Sequence, residues 1–126
     1  MSQLHRLKID ITTLNECIIL HGVNTLGKMG AGIAKALAKE YPKMYREYVE
    51  TCNIYGDEIL GKISVYYDQD RDVRIINCYT QNRIGSSFGN PAANLDAVKS
   101  SLMLVFDYLS NKEETNSIFM PEIGCH

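Results

Sequence analysis

Between Gly22 and Gly32 the chain places four glycines in eleven residues, with an unbroken apolar run before them and a helical pattern after them. The run, Cys17-Ile18-Ile19-Leu20, shows no polar alternation, which predicts a short strand covered on both faces. From Ile33 the period becomes helical, with Ile33, Ala34, Leu37, Ala38 and Tyr41 on one face. A buried strand, a glycine-rich loop and a helix in that order can bring backbone N–H groups close to a ligand. The positive end of the helix then favours a negative charge there. The plainer reading is that these glycines only make a turn and a close helix–sheet contact.

The remaining segments alternate in type. Leu4–Ile11 reads as a first strand, Pro42 opens a second helix running to about Ile54, and Gly56-Asp57 ends it. Lys62–Tyr67 and Val73–Tyr79 read as strands around a charged turn. Asn82–Pro91 reads as a surface loop. Ala92–Ser110 is a long helix with Leu95, Val98, Leu102, Val105, Phe106 and Leu109 as its expected buried stripe. Ser117–Met120 is a last strand, and Pro121–His126 begins another loop. The order β-β-α-α-β-β-α-β predicts an α/β fold with a central mixed, largely parallel sheet between helices. Ligands in such folds occupy the crevice at the carboxyl ends of the strands. Three loops open there: Gly22–Gly32, Thr80–Pro91, and Pro121 onward.

A length of 126 residues argues for one domain spanning the whole chain. The formal net charge of −2, without a basic stripe, excludes a general grip on nucleic acid. The cysteines 17, 52, 78 and 125 have no ligand or disulfide spacing, so neither a metal nor a disulfide framework is expected. No cofactor is implied. The N-terminus has no secretory pattern and no apolar run approaches about 18 residues, so the expectation is a cytoplasmic monomer without a membrane segment.

Two familiar phosphate loops fail on the glycine string. Gly22-x-x-x-x-Gly27-Lys28 matches a P-loop, but Met29 stands where the magnesium-binding hydroxyl belongs. Gly30-Ala31-Gly32 gives a Rossmann turn its first two glycines, but Lys35 stands in place of the third. The longer string His21-Gly22-x-Asn24-x-x-Gly27-x-Met29-Gly30-Ala31-Gly32-Ile33-Ala34 resembles the first binding loop of macro domains. It is nearest the branch of ADP-ribose-1″-phosphate phosphatases and terminal ADP-ribose protein glycohydrolases, including phage and bacterial relatives. Tyr41-Pro42-x-x-Tyr45-x-x-Tyr48 and Tyr55-Gly56-Asp57-x-x-Leu60-Gly61-Lys62 resemble the phosphatase group. Met120-Pro121-x-Ile123-Gly124-Cys125 resembles the start of the second phosphate loop.

The resemblance implies a three-layer α/β/α macro domain that binds ADP-ribose or a derivative, or an ADP-ribosylated macromolecule. Asp10, followed by Ile11, would meet adenine. Gly30, Ala31, Gly32 and Ile33 would give backbone donors to the diphosphate, with Gly22 and Met29 of the same loop also at the ligand, and Asn24 would reach the distal ribose. Thr80 and Gln81 belong to the second expected loop; Gly124 and Cys125 would close over the diphosphate from the other side, with Pro121 and Ile123 of the same string also at the ligand. Such domains continue through a further helix and strand, whereas this sequence stops at His126 inside the second loop. It is either a shortened domain or part of a longer one.

Chemistry at the distal ribose needs a nucleophile or an activated water. His21, with Asn24, is the candidate for that work; its alternative is a core histidine. Where the glycohydrolases carry a lysine this chain has Gln81 and Asn82, and Lys28 is either a substitute or a solvent-facing loop residue. Phe88, Tyr79 and Tyr55 could stack on adenine or belong to the core. Two functions stay open: a hydrolase acting at the distal ribose, and a non-catalytic sensor or sequestering module.

Overall fold

The computed structural model describes residues 10–83, 94–112 and 116–121. The expected first strand and the Asn82–Pro91 loop fall largely outside these residues. A 3-10 turn at Ile11–Thr13 leads into β1 (Cys17–Asn24), α1 (Gly32–Glu40), α2 (Pro42–Tyr55), β2 (Ile63–Asp68), β3 (Val73–Gln81), α3 (Leu95–Ser110) and β4 (Ser117–Phe119). The four strands lie in the order β2-β3-β1-β4. β1 runs parallel to both β3 and β4, and β2 pairs antiparallel to β3. The sheet is therefore mixed and largely parallel, as its sequence pattern predicts.

β1 is buried along its length except for half-buried Gly22, because both faces are covered. Cys17, Ile19 and Val23 pack with Leu37, Met44, Tyr48 and Cys52 under α1 and α2. Ile18 and Leu20 point the other way, into a second core with Ile76, Cys78 and Val105 against α3. Two helices on one face and one on the other make the three layers. The strand also runs four residues further than its apolar run, through His21 and Asn24, because β3 supplies partners as far as Gln81.

α3 turns most of its expected stripe inward, with Val105 buried in the second core, Leu102 and Leu109 packed against it and Val98 half-buried, but the stripe is shifted toward smaller residues. Its buried residues are Ala97, Ser101 and Val105, at a strict four-residue period. Leu95 and Phe106 are 76% and 70% exposed. Small residues line α3 where it passes the chain just before β2: a Cβ at Gly61 would come within 3.3 Å of Ser100 Oγ and 3.7 Å of Ala97 Cα. Large side chains in that layer would push the helix away.

Arg71, in the β2–β3 turn, fastens the opposite end of the molecule. Its guanidinium donates to Asn15 Oδ1 at 2.9 Å and to the carbonyls of Thr12 and Leu14 at 2.6 and 3.0 Å. It also pairs with Glu40 at 2.9 Å and lies 5.3 Å from the centre of the Tyr41 ring. A planar fork with several donors suits this task, where an ammonium would not. The fork fixes the segment that carries Asp10 against α1.

Candidate functional site

A cavity of about 670 Å³ opens beside the C-terminal ends of β1 and β3. Gly22, Val23 and Asn24 from β1, Lys28, Met29, Gly30 and Ala31 from the loop, Gly32 and Ala34 from α1, and Gln81 from β3 line it. Met29 and Val23 are buried and make an apolar floor. Ala31 occupies the N-cap of α1 and offers no side-chain acceptor. The first N–H groups of a helix have no intrahelical partner, and at α1 no side chain among the described residues caps them, so they face the cavity ready for an anion. Gly32, with φ at +58°, takes a backbone shape that glycine adopts without cost.

Asn24 organises the loop from below. Its Nδ2 donates to the Lys28 carbonyl at 2.8 Å, and its Oδ1 accepts from Leu26 N at 3.0 Å and Lys28 N at 3.3 Å. The Tyr48 hydroxyl reaches both Asn24 Oδ1 and Asn24 O, at 2.7 and 2.8 Å, and accepts from Lys28 N at 3.1 Å. Tyr48 in turn stacks on Tyr79, ring centres 6.0 Å apart. The sequence does not single out Tyr48 as a site residue. Its signal is only the Tyr41-Pro42-x-x-Tyr45-x-x-Tyr48 string, in which spacing alone cannot separate core from site.

His21 lies elsewhere. It is buried on the α1–α2 face of the sheet, and its Nε2 donates to Asn77 Oδ1 at 2.7 Å. Asn77 continues to Ser64 Oγ at 3.3 Å, and Ser64 meets the Tyr79 hydroxyl at 3.0 Å. Burial pushes the imidazole down from its ordinary 6.5 to about 4, outweighing the Asn77 bond, which favours the charged form. The expected acid or base role meets a neutral core side chain, because β1 extends past Leu20 and carries residue 21 under the helices. Asn24 lines the cavity and also bonds the loop backbone through its amide.

The other expected positions divide. Gly22, Met29, Gly30, Ala31, Gly32 and Gln81 meet at the cavity. Ile33, 40% exposed, follows Gly32 in the first turn of α1. Asp10 caps the 3-10 turn, its Oδ1 accepting from Thr12 N at 3.0 Å and Thr12 Oγ1 at 2.6 Å, and does not line the cavity. These bonds hold its carboxyl below the usual aspartate range. Ile11 packs on the main core. Thr80 is buried, its carbonyl accepting from Asn94 N at 2.7 Å. Tyr79 is a core residue, whereas Tyr55 is exposed beside a smaller recess with Ile59 and Ile63. Pro121 is half-buried; Ile123, Gly124, Cys125 and Phe88 lie outside the described residues.

The family model described as "Macro domain" matches residues 20–126, from the end of the apolar run in β1 through the glycine loop and the rest of the chain. The chain belongs to the macro domain family. This macro domain is 34% identical over 101 residues to the ADP-ribose 1″-phosphate phosphatase of Saccharomyces cerevisiae, covering 79% of this chain and 57% of that protein. It is 34% identical over 120 residues to the enzyme of the same name from Candida glabrata, covering 93% and 66%. It thus spans less than two thirds of either relative. Among solved structures, the macrodomain of Mycobacterium tuberculosis DarG superposes with a TM-score of 0.74 at 25% identity, over 91% of this chain and 72% of that one.

The His21 environment has a measurable consequence. Above pH 6.5 the imidazole is neutral in both the folded and unfolded states and does not affect stability. Below that, the unfolded chain binds a proton that the core refuses until about pH 4. Stability therefore falls with pH through this window and levels off beneath it. Thermal melts should show a shallower decline between pH 6.5 and 4 for His21→Gln than for the parent protein. Parallel declines would mean that the folded imidazole titrates normally.

Proposed function

We propose that this macro domain binds ADP-ribose and hydrolyses ADP-ribose 1″-phosphate to ADP-ribose and inorganic phosphate. The observation that carries this reading is the cavity at the strand ends, walled by a glycine loop that delivers the uncapped N-terminus of α1. A diphosphate laid against Gly30, Ala31, Gly32 and Ile33 would accept their backbone N–H groups. Each such charge-assisted bond contributes about 1.5–3 kcal/mol. Asp10, with one carboxylate oxygen held by Thr12, would offer the other to the adenine amino group. Gln81, opposite Asn24 in the β1–β3 register, would face the distal ribose. Pro121, Ile123, Gly124 and Cys125 would cover the diphosphate from the other side. The names of the two yeast relatives support the same ligand and reaction.

In this arrangement His21 and Asn24 act through the scaffold. Asn24 shapes the loop, and His21 with Asn77 fills the polar centre of the sheet. An ADP-ribosylated macromolecule could enter by the same terminal ADP-ribose group. A cytoplasmic setting fits the three buried free thiols of Cys17, Cys52 and Cys78.

One observation favours the non-catalytic reading. Among the described residues lining the cavity, Lys28 is the only ionisable side chain, so no carboxylate or imidazole there could activate water. Calorimetry with ADP-ribose, followed by phosphate release from ADP-ribose 1″-phosphate, separates the cases. Micromolar binding with turnover is expected. Binding without turnover leaves a sensor or sequestering module, and absence of binding defeats both.

A further inference from the structure

Lys28 differs from an ordinary surface lysine in how its backbone is held. Its N–H is shared between Asn24 Oδ1 and the Tyr48 hydroxyl, and its carbonyl accepts from Asn24 Nδ2 at 2.8 Å. Tyr45 adds a bond to the neighbouring Gly27 carbonyl at 3.4 Å. Both polar groups of the Lys28 backbone are thus tied to buried side chains, while its own side chain remains exposed on the cavity wall. Fixing a loop before binding lowers the ordering cost of any contact it makes.

The position decides which charge it would meet. The N-terminus of α1 and the backbone at Gly30–Gly32 already face the diphosphate in the reading above, on which this inference rests. Lys28 stands midway between the end of β1 at Asn24 and the start of α1 at Gly32, and its carbonyl is bonded to Asn24, whose strand partner is Gln81. In the proposed binding mode Gln81 faces the distal ribose, so the bond to Asn24 ties Lys28 to that side of the cavity. We infer that Lys28 is a specificity-determining residue whose ammonium receives a phosphate carried on the distal ribose, so that the site prefers the phosphorylated ligand over ADP-ribose itself. The pairing is a point-charge contact open to solvent, worth a preference of about fivefold at low salt and less as salt rises.

The test is displacement of bound fluorescent ADP-ribose, by ADP-ribose and by ADP-ribose 1″-phosphate, read within the mixing time and before turnover. The wild-type protein should favour the phosphorylated competitor by about fivefold, Lys28→Arg should retain that ratio, and Lys28→Met should bring it to about one. The ratio is the deciding quantity, because a general loss of fold or loop shape would lower both affinities together. An unchanged ratio in Lys28→Met overturns the inference, and so does a wild-type protein that binds both competitors equally. A wild-type protein that binds neither ligand removes the inference together with the ADP-ribose reading, and that outcome is recognisable before any variant is made.

Discussion

Gly32→Glu should lower affinity for ADP-ribose by about a hundredfold or more while the protein still folds. Residue 32 sits at the start of α1 with φ at +58°. A side chain there costs about 1–2 kcal/mol in backbone strain. Among the described residues a Cβ at this position meets nothing within 4 Å, so no described core residue needs to move. The introduced carboxylate is favoured by the helix N-terminus, which offsets part of the strain. It would then take the N–H groups that the diphosphate needs and repel the phosphates as well. Losing two charge-assisted bonds alone accounts for about 3 kcal/mol or more, which is a factor of about a hundred. Calorimetry and a thermal melt on the same sample check both halves. A variant that melts near the parent and binds equally well would move the diphosphate off this loop.

Asn24→Ala should have the largest effect on the folded state among substitutions at the site. The change strips the acceptor from Leu26 N, leaves Lys28 N only its bond to the Tyr48 hydroxyl, removes one contact of that hydroxyl, and leaves the Lys28 carbonyl without its donor. Asn24 itself is 8% exposed, so water replaces these partners poorly. A buried polar group left unpaired costs about 1–3 kcal/mol. With several affected at once, a loss of about 2–3 kcal/mol is expected, lowering the melting temperature by about 10 °C. Affinity should fall with it, since the loop loses its inner brace. If instead the variant melts with the parent and loses only ligand contacts, the Asn24 amide serves the sugar directly.

These two residues mark how far the sequence could be read. The glycine string and the apolar runs around it located the cavity, because backbone approach demands glycine and a doubly covered strand demands unbroken hydrophobicity. The layer order and the largely parallel sheet followed from the alternation of periods. The direction of individual side chains did not. His21 and Asn24 look alike in the sequence, polar residues flanking a glycine after a buried run. Their roles depend on β1 continuing in register with β3 to Gln81, a long-range pairing with no local signature. Tyr48 was invisible for the same reason: it is one tyrosine in a spaced series, and only the closure of α2 over Asn24 gives its hydroxyl a task. The stripe of α3 is legible at Val105, Leu102 and Leu109, which meet the second core, but not at its edges: Leu95 and Phe106 are exposed, and the small Ala97 and Ser101 are buried instead.

The sheet order places β1, the first of the four described strands, between two neighbours that come later in the chain, β3 and β4. During synthesis an almost wholly apolar segment therefore leaves the ribosome with no partner on either edge. It must wait through two helices and a hairpin before β3 can pair with it. Parallel, non-local pairing of this kind is slow, and the waiting strand is exposed to aggregation. The pocket wall built on Gly22–Asn24 can be completed only after that pairing, so yield in the cell should depend on chaperone supply more steeply than the stability of the finished protein suggests.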